Sequence, residues 1–219
     1  MRAERRARYI CFEGIEGTGK STQVNRISKH LSDLGFSVLT TKEQGTPHIP
    51  LTQDLRGIML DVQYDKHLTT NARELISQAI RSIHLEKLIK PALKEYDFII
   101  QDRGILSGLA YGNACGIPDD TISFLTRTII PDGHYYDLYD DVILLDTNPT
   151  DGLYRANNAK REFNIGDVME SKGVRFIEEV QFKMHYYLKE FKNTHKIDVT
   201  SKSIQEVSSE ILDQLKIRR

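Results

Sequence analysis

The chain has no apolar run close to the ~20 residues that a membrane-spanning helix needs. Near its amino terminus only residues 9–12 are continuously apolar before Glu13, too few for the core of a secretory signal. Neither sign of charge is in excess: 30 lysines and arginines against 31 aspartates and glutamates leave a formal net charge of -1. That balance lacks the general signature of a polyanion binder, and the arginine-bearing segment 1–8 reads as a solvated basic tail. Cysteine is scarce. Cys11 and Cys115 have no second cysteine or histidine at metal-ligand spacing beside them, so both read as free thiols in a reducing cytoplasm. No internal repeat is present. The expectation is a cytoplasmic protein that binds neither nucleic acid nor membrane.

What is present suits one domain over residues 1–219, since a hydrophobic share of 39% and a charged share of 28% are those of a globular chain. Short apolar runs alternate with longer segments of helical period, the pattern of parallel strands joined by crossover helices, so the fold class is α/β. Strands are expected at 8–13, 36–41, 98–101, 142–145 and 197–199. A helix should begin near Ser21, carry Val24, Ile27, Leu31 and Leu34 on one face and stop at Gly35. Another should fill 71–93, opened by an Asn71/Glu74 capping box, with Leu75, Ala79, Ile80, Ile83 and Leu88 as its apolar face and a bend near Pro91. A last helix starts at Ser203, which with Glu206 forms a second capping box. Between 154 and 171 the chain is polar with little apolar periodicity, the mark of a mobile surface segment and here a candidate lid.

Gly14, Ile15, Glu16, Gly17, Thr18, Gly19, Lys20 and Ser21 satisfy the G-x-x-x-x-G-K-[ST] pattern, after a predicted strand and before a predicted helix. In that setting backbone amides and the helix amino terminus surround phosphate oxygens with donors. Lys20 should reach the β- and γ-phosphates of a nucleoside triphosphate as a solvent-accessible ligand. The Ser21 hydroxyl is the expected ligand of magnesium, a cation that prefers hard oxygen donors. Asp102 and Arg103 end another predicted strand, a carboxylate suited to hold a water of the magnesium shell beside a guanidinium suited to phosphate.

Residues 12–23, from Phe12 through Thr22 to Gln23, resemble the opening motif of the thymidylate kinase family. Further landmarks fall in order. Thr41-Lys42-Glu43-Gln44-Gly45-Thr46-Pro47 is similar to the family's T-R-E-P-G-G-T-P, Leu55-Arg56-Gly57-Ile58-Met59-Leu60 to I-R-x-L-L, and residues 79–84 to A-D-R-A-Q-H. Asp102-Arg103 through Ser107 to Ala110-Tyr111 is similar to D-R-Y-x-x-S-S-x-A-Y-Q, and Leu144-Leu145-Asp146 with Pro149, Gly152 and Leu153 to L-D-x-x-P-x-x-G-L. The likeness covers roughly residues 9–200.

The resemblance implies a P-loop NTPase-type five-stranded parallel sheet flanked by helices, a closing lid, a homodimer, and ATP- and magnesium-dependent phosphoryl transfer to a deoxynucleoside monophosphate, dTMP first. It places Arg56 and Arg103 on the acceptor phosphate, Arg81 beside the base, Glu16 on the 3′-hydroxyl and Tyr111 near sugar and base, with Ser77 and Ser107 also in the acceptor site. Alone, Arg56 and Arg81 read as exposed helix arginines and Tyr111 as a core aromatic. With no basic residue at Gly17, the catalytic cations beyond Lys20 and Arg103 are expected from the lid, at Arg155, Lys160 and Arg161. Around the acceptor base the chain departs from the family: Ser77 replaces a stacking phenylalanine, Gly104 an aromatic and Gly112 a glutamine. Smaller side chains at these positions are expected to enlarge the base pocket, with dUMP, a modified pyrimidine nucleotide or a wider acceptor set as the alternative.

Overall fold

The computed structural model describes residues 7–130, 135–160 and 168–217. Strand β1 (Arg8–Glu13) leads through a glycine-rich loop into α1 (Lys20–Asp33), then β2 (Val38–Lys42), α2 (Pro50–Leu60) and α3 (Thr70–His84). A π-helical turn, Leu85–Ile89, joins α3 to α4 (Lys90–Glu95). After β3 (Phe98–Asp102) come α5 (Ile105–Ala114), α6 (Asp119–Ile129), β4 (Asp141–Asp146), α7 (Pro149–Lys160), α8 (Val168–Ser171), α9 (Val174–Leu188), β5 (Thr194–Asp198) and α10 (Ile204–Gln214). The strands form one parallel sheet in the order β2-β3-β1-β4-β5.

The continuous apolar runs of the strands follow from burial on both faces. Along β1, Tyr9 and Cys11 point into the core shared with the π-helical turn, α4, α5 and α9, whereas Ile10 and Phe12 point into the core shared with α1 and α10. Each fully buried isoleucine, leucine or phenylalanine in these layers contributes roughly 1.5–3 kcal/mol. Register then aligns the strand ends: Phe12 and Lys42 both lie opposite Asp102. The loops after β1, β2 and β3 therefore open at one carboxyl edge, on either side of the point where strand order reverses, which is where such sheets bind ligands.

Several elements differ from the sequence expectation. Helix α3 is capped by Thr69, whose hydroxyl accepts from the Ala72 amide at 3.2 Å, so Glu74 is released from the predicted capping role. Of the apolar face expected on α3, Ile80 is fully buried but Leu75 and Ala79 are exposed, and most of the buried positions of that helix are polar: Arg73, Glu74, Ser77, Gln78, Arg81 and His84. The π-helical turn precedes Pro91, which lacks the amide an α-helix would use and crowds the preceding turn. The front of the candidate lid, 154–160, is the second half of α7, whose first turn starts at Pro149 with the Asn148 carboxamide oxygen accepting from the Thr150 amide at 2.9 Å. Residues 161–167 of that segment, and 1–6 of the expected tail, lie outside the described residues. The Ser203/Glu206 capping box on α10 is formed in both directions.

Candidate active site

The loop between β1 and α1 turns on glycines with positive φ. At Gly17, φ is 71° and a side chain would overlap the Gly152 carbonyl of α7. That contact gives a steric reason for the absence of a basic residue there, and it seats the start of α7 directly on the loop. Lys20 is 7% exposed rather than solvent-accessible as expected. Its ammonium donates to the Ile15 carbonyl at 2.7 Å and to Thr18 Oγ1 at 3.4 Å, folded back onto its own loop. Burial first, then the Arg103 charge, lowers its pKa to about 7, while Asp102, Glu16 and Glu13 oppose the shift. Ser21 Oγ donates to Asp102 Oδ2 at 2.5 Å, joining the first residues of α1 to the end of β3. Ile15 belongs to the core and Thr18 is buried beneath the loop, whereas Ser21 and Thr22 are exposed.

Arg103 follows β3 at φ 63°, a sparsely populated region for a side-chain-bearing residue, and is held there by its amide donating to the Phe12 carbonyl at 2.8 Å. The turn sends the guanidinium back over the glycine-rich loop, where it donates to the Gly14 carbonyl (3.0 Å), Ser107 Oγ (3.1 Å) and Glu16 Oε1 (3.0 Å). Tyr111 donates to the same Glu16 oxygen at 2.5 Å and lies beneath the guanidinium, its ring centroid 5.2 Å from the Arg103 carbon. Tyr111 is thus part of the site, not a plain core aromatic. Burial works against ionisation of Glu16, yet Arg103 and Lys20 outweigh it and hold the carboxyl below its ordinary value. Among the described residues Glu16 Oε2 is buried with no hydrogen-bond partner, an acceptor with capacity to spare.

A cavity of about 610 Å³ runs from Lys20, Ser21 and Thr22 past Asp102 and Arg103 into the groove between α3 and α5. Arg56, Ser77, Arg81, Ser107, Tyr111 and Arg155 all line it. Arg56 is half-buried, its stem packed over Gly45. Arg81 is 4% exposed, paired to Glu43 at 2.8 Å and donating to Gln78 Oε1 at 3.1 Å, so neither arginine is the exposed helix residue that its local sequence suggests. The Ser77 hydroxyl accepts from Gln44. Arg155 donates to the Thr200 carbonyl at 3.3 Å. Arg161 lies outside the described residues, and Gly14, Ile15 and Thr18 do not line the cavity.

Enlargement of the base pocket fails at two of the three positions. A side chain at Gly104 would meet the Tyr139 hydroxyl and Cys11, because Tyr139, accepting from the Ile105 amide at 3.1 Å, already fills that volume. A side chain at Gly112 would press on Ile122 and Glu74. Three acids found here were not given a place in the site from sequence. Glu13, fully buried, accepts from the Ser107 amide (3.2 Å) and hydroxyl, and burial raises its pKa. Glu43 pairs with Arg81, and Glu74 turns into the cavity. The available signal was helical spacing: Arg73, Glu74, Ser77, Gln78 and Arg81 share one face of α3, and a polar stripe that is buried marks a ligand-facing wall.

Comparison with known proteins adds three findings. A family model described as Thymidylate kinase matches residues 12–211. Among curated relatives, the thymidylate kinase of Halothermothrix orenii is 34% identical over 212 residues (96% of this chain, 97% of the relative). That of Prochlorococcus marinus strain MIT 9312 is 32% identical over 215 residues, 96% of each chain. A crystal structure of thymidylate kinase from Ehrlichia chaffeensis shares the fold, with a TM-score of 0.71 at 24% identity over 95% of this chain and 98% of that one.

Proposed function

The chain belongs to the thymidylate kinase family, and from that membership we propose that it transfers the γ-phosphoryl group of ATP to the 5′-phosphate of dTMP, giving dTDP and ADP. The observation that carries the proposal is the meeting, in one cavity, of Lys20 and Ser21 with the Arg103–Glu16–Tyr111 cluster. A nucleotide-operated switch needs the first group and has no use for the second. Phosphoryl transfer asks little covalent chemistry of a protein; it asks for both phosphates in line and for cations around the group in flight.

In this reading the loop amides and Lys20 hold the ATP phosphates, the Lys20 ammonium exchanging its bond to the Ile15 carbonyl for phosphate oxygens. Arg103 and Arg56 take the acceptor phosphate, Arg103 already fixed in place by Gly14, Ser107 and Glu16. The spare oxygen of Glu16 accepts the 3′-hydroxyl of the sugar, Tyr111 bounds the sugar, and Arg81 with Ser77 and Ser107 completes the acceptor site. Arg155, and Arg161 beyond it, supply cations from α7 and the lid. The Ser21 hydroxyl and Asp102 carboxylate, adjacent hard oxygen donors, fit magnesium, Ser21 as a ligand and Asp102 through a water. When bound, magnesium neutralises charge on the phosphates.

Exposed Leu75 on α3 and exposed Phe124 on the adjoining α6 suit a second copy of the chain, in line with a homodimer. Two free cysteines accord with a cytoplasmic setting. Among the described residues, no helix is long and apolar enough to cross a membrane.

The test is ADP formation with ATP and magnesium against a panel of nucleoside monophosphates. The reading requires turnover that depends on acceptor and is fastest with dTMP. Slow hydrolysis indifferent to acceptor would leave a nucleotide-binding protein without kinase activity.

A further inference from the structure

Helices α3 and α5 face each other across the groove in opposite directions. Arg81 lies against Gly108, where any side chain would overlap its guanidinium, and two turns back along α3 Glu74 lies against Gly112, one turn farther along α5. The groove thus carries a cation on one wall position and a carboxylate on the next. Glu74 is 6% exposed and lines the cavity. Its Oε1 accepts from Gln78 Nε2 at 2.6 Å, and among the described residues no ion pair engages the carboxylate. Its Oε2 stands 3.1 Å from the point that a Cβ of residue 112 would occupy. The volume in which the family motif carries a glutamine side chain is therefore occupied here by a carboxylate reaching across from the other helix.

We propose that Glu74 is a specificity-determining residue for the acceptor base, its Oε2 accepting the ring N–H of thymine while Arg81 donates to an adjacent carbonyl oxygen. The proposal rests on the reading of the chain as a dTMP kinase and names the groups that read the base. Thymine presents a carbonyl, a ring N–H and a second carbonyl along the edge remote from the sugar, and a donor beside an acceptor matches two successive groups of it. Cytosine presents a lone pair where thymine has the N–H, and a buried carboxylate facing a lone pair has neither a hydrogen bond nor water to compensate. A site built to accept one N–H rejects analogues without it far more strongly than a pocket that only excludes by shape. Gly112 has a part in this: a side chain there would press on the oxygen that does the reading.

The experiment compares kcat/KM for dTMP, its N3-methyl derivative and dCMP in the wild type, Glu74→Gln and Glu74→Leu. Ratios are taken within each variant, so that loss of active protein cancels. Wild type should favour dTMP over both analogues. Glu74→Gln, which keeps the shape and can donate as well as accept, should raise the dCMP-to-dTMP ratio at least ~10-fold. Glu74→Leu should lose at least ~10-fold on dTMP but little on the N3-methyl derivative, so that the methyl group ceases to matter, with KM for ATP unchanged. Ratios within about threefold of wild type in both variants, alongside ordinary wild-type activity on dTMP, would overturn the role of Glu74 and leave the kinase reading standing. A wild type inactive on dTMP would overturn both.

Discussion

At the end of the cavity proposed to hold the phosphates, Arg103 and Lys20 sit just beyond the carboxyl ends of β3 and β1, fixed by backbone: Arg103 by Phe12 and Gly14, Lys20 by Ile15. At the base end they are side chains on α3 and α5 held by one another, Arg81 by Glu43 and Gln78, Glu74 by Gln78. The first arrangement tolerates almost no substitution, since the backbone that makes it is also the core of the sheet. The second can be rewritten by changing a side chain on one helix and making room on the other, as Glu74 and Gly112 illustrate. The two ends should therefore answer mutation differently: changes at the phosphate end reduce turnover with every acceptor, and changes at the base end redistribute it.

The largest effect should come from Lys20→Ala, with kcat lowered by ~10³ or more, about 4 kcal/mol of transition-state stabilisation. Stability should change by less than about 1 kcal/mol, because the buried ammonium is itself disfavoured in the fold. Steady-state kinetics with a thermal melt checks both, and a variant that is inactive because it is unfolded would contradict the account. Next, Arg103→Ala should cost about 300-fold in kcat/KM for dTMP while the separately titrated affinity for ATP changes little. Equal losses on both nucleotides would move Arg103 out of the acceptor site.

A smaller loss is expected from the double variant Arg155→Ala and Arg161→Ala: kcat down by ~10² at saturating substrates, since in the proposed reading the lid supplies the cation that Gly17 has no room to carry. Turnover within about threefold of wild type would send the search for that cation elsewhere.

The smallest effect lies beneath the base end. His84, on α3 three residues beyond Arg81, is buried, and burial followed by the Arg81 and His48 charges lowers its pKa from 6.5 to about 4. Its Nε2 lies 2.9 Å from Thr41 Oγ1. Above the unfolded value both states are neutral and pH has no leverage. Below it the unfolded chain takes up a proton that the folded chain refuses until about pH 4, so stability falls as pH falls. By about pH 5 this amounts to about 2 kcal/mol. Denaturant titrations of wild type and His84→Gln should converge by that amount between about pH 7.5 and 5, and parallel pH profiles would show that His84 titrates freely.

The same contrast explains what was legible beforehand. The phosphate end is written in contiguous residues, because eight positions in a row form the loop, and the Asp102-Arg103 pair marks a strand end by itself. The strands were readable for a similar reason, since burial on both faces leaves uninterrupted apolar runs such as 142–145. The base end depends on pairs remote in sequence: Glu43 with Arg81, Glu13 with Ser107, Gly104 with Tyr139. No local pattern encodes which side chain meets which acid across 38 or 94 residues. Helix α3 misled for the complementary reason, its apolar residues Leu75 and Ala79 facing outward while its polar stripe lines the cavity. Lys20 was placed correctly in the motif but not in depth, because its ammonium folds back onto the Ile15 carbonyl and Thr18 of its own loop, a conformation that the motif does not spell out.

The central claim, that one cavity joins a triphosphate site to a dTMP site for direct transfer, is tested most directly by following the label from [γ-³²P]ATP in the presence of magnesium and dTMP. The account predicts label in the terminal phosphate of dTDP, formed only when dTMP is present and abolished in Lys20→Ala. Label appearing as inorganic phosphate at a rate indifferent to dTMP would contradict it.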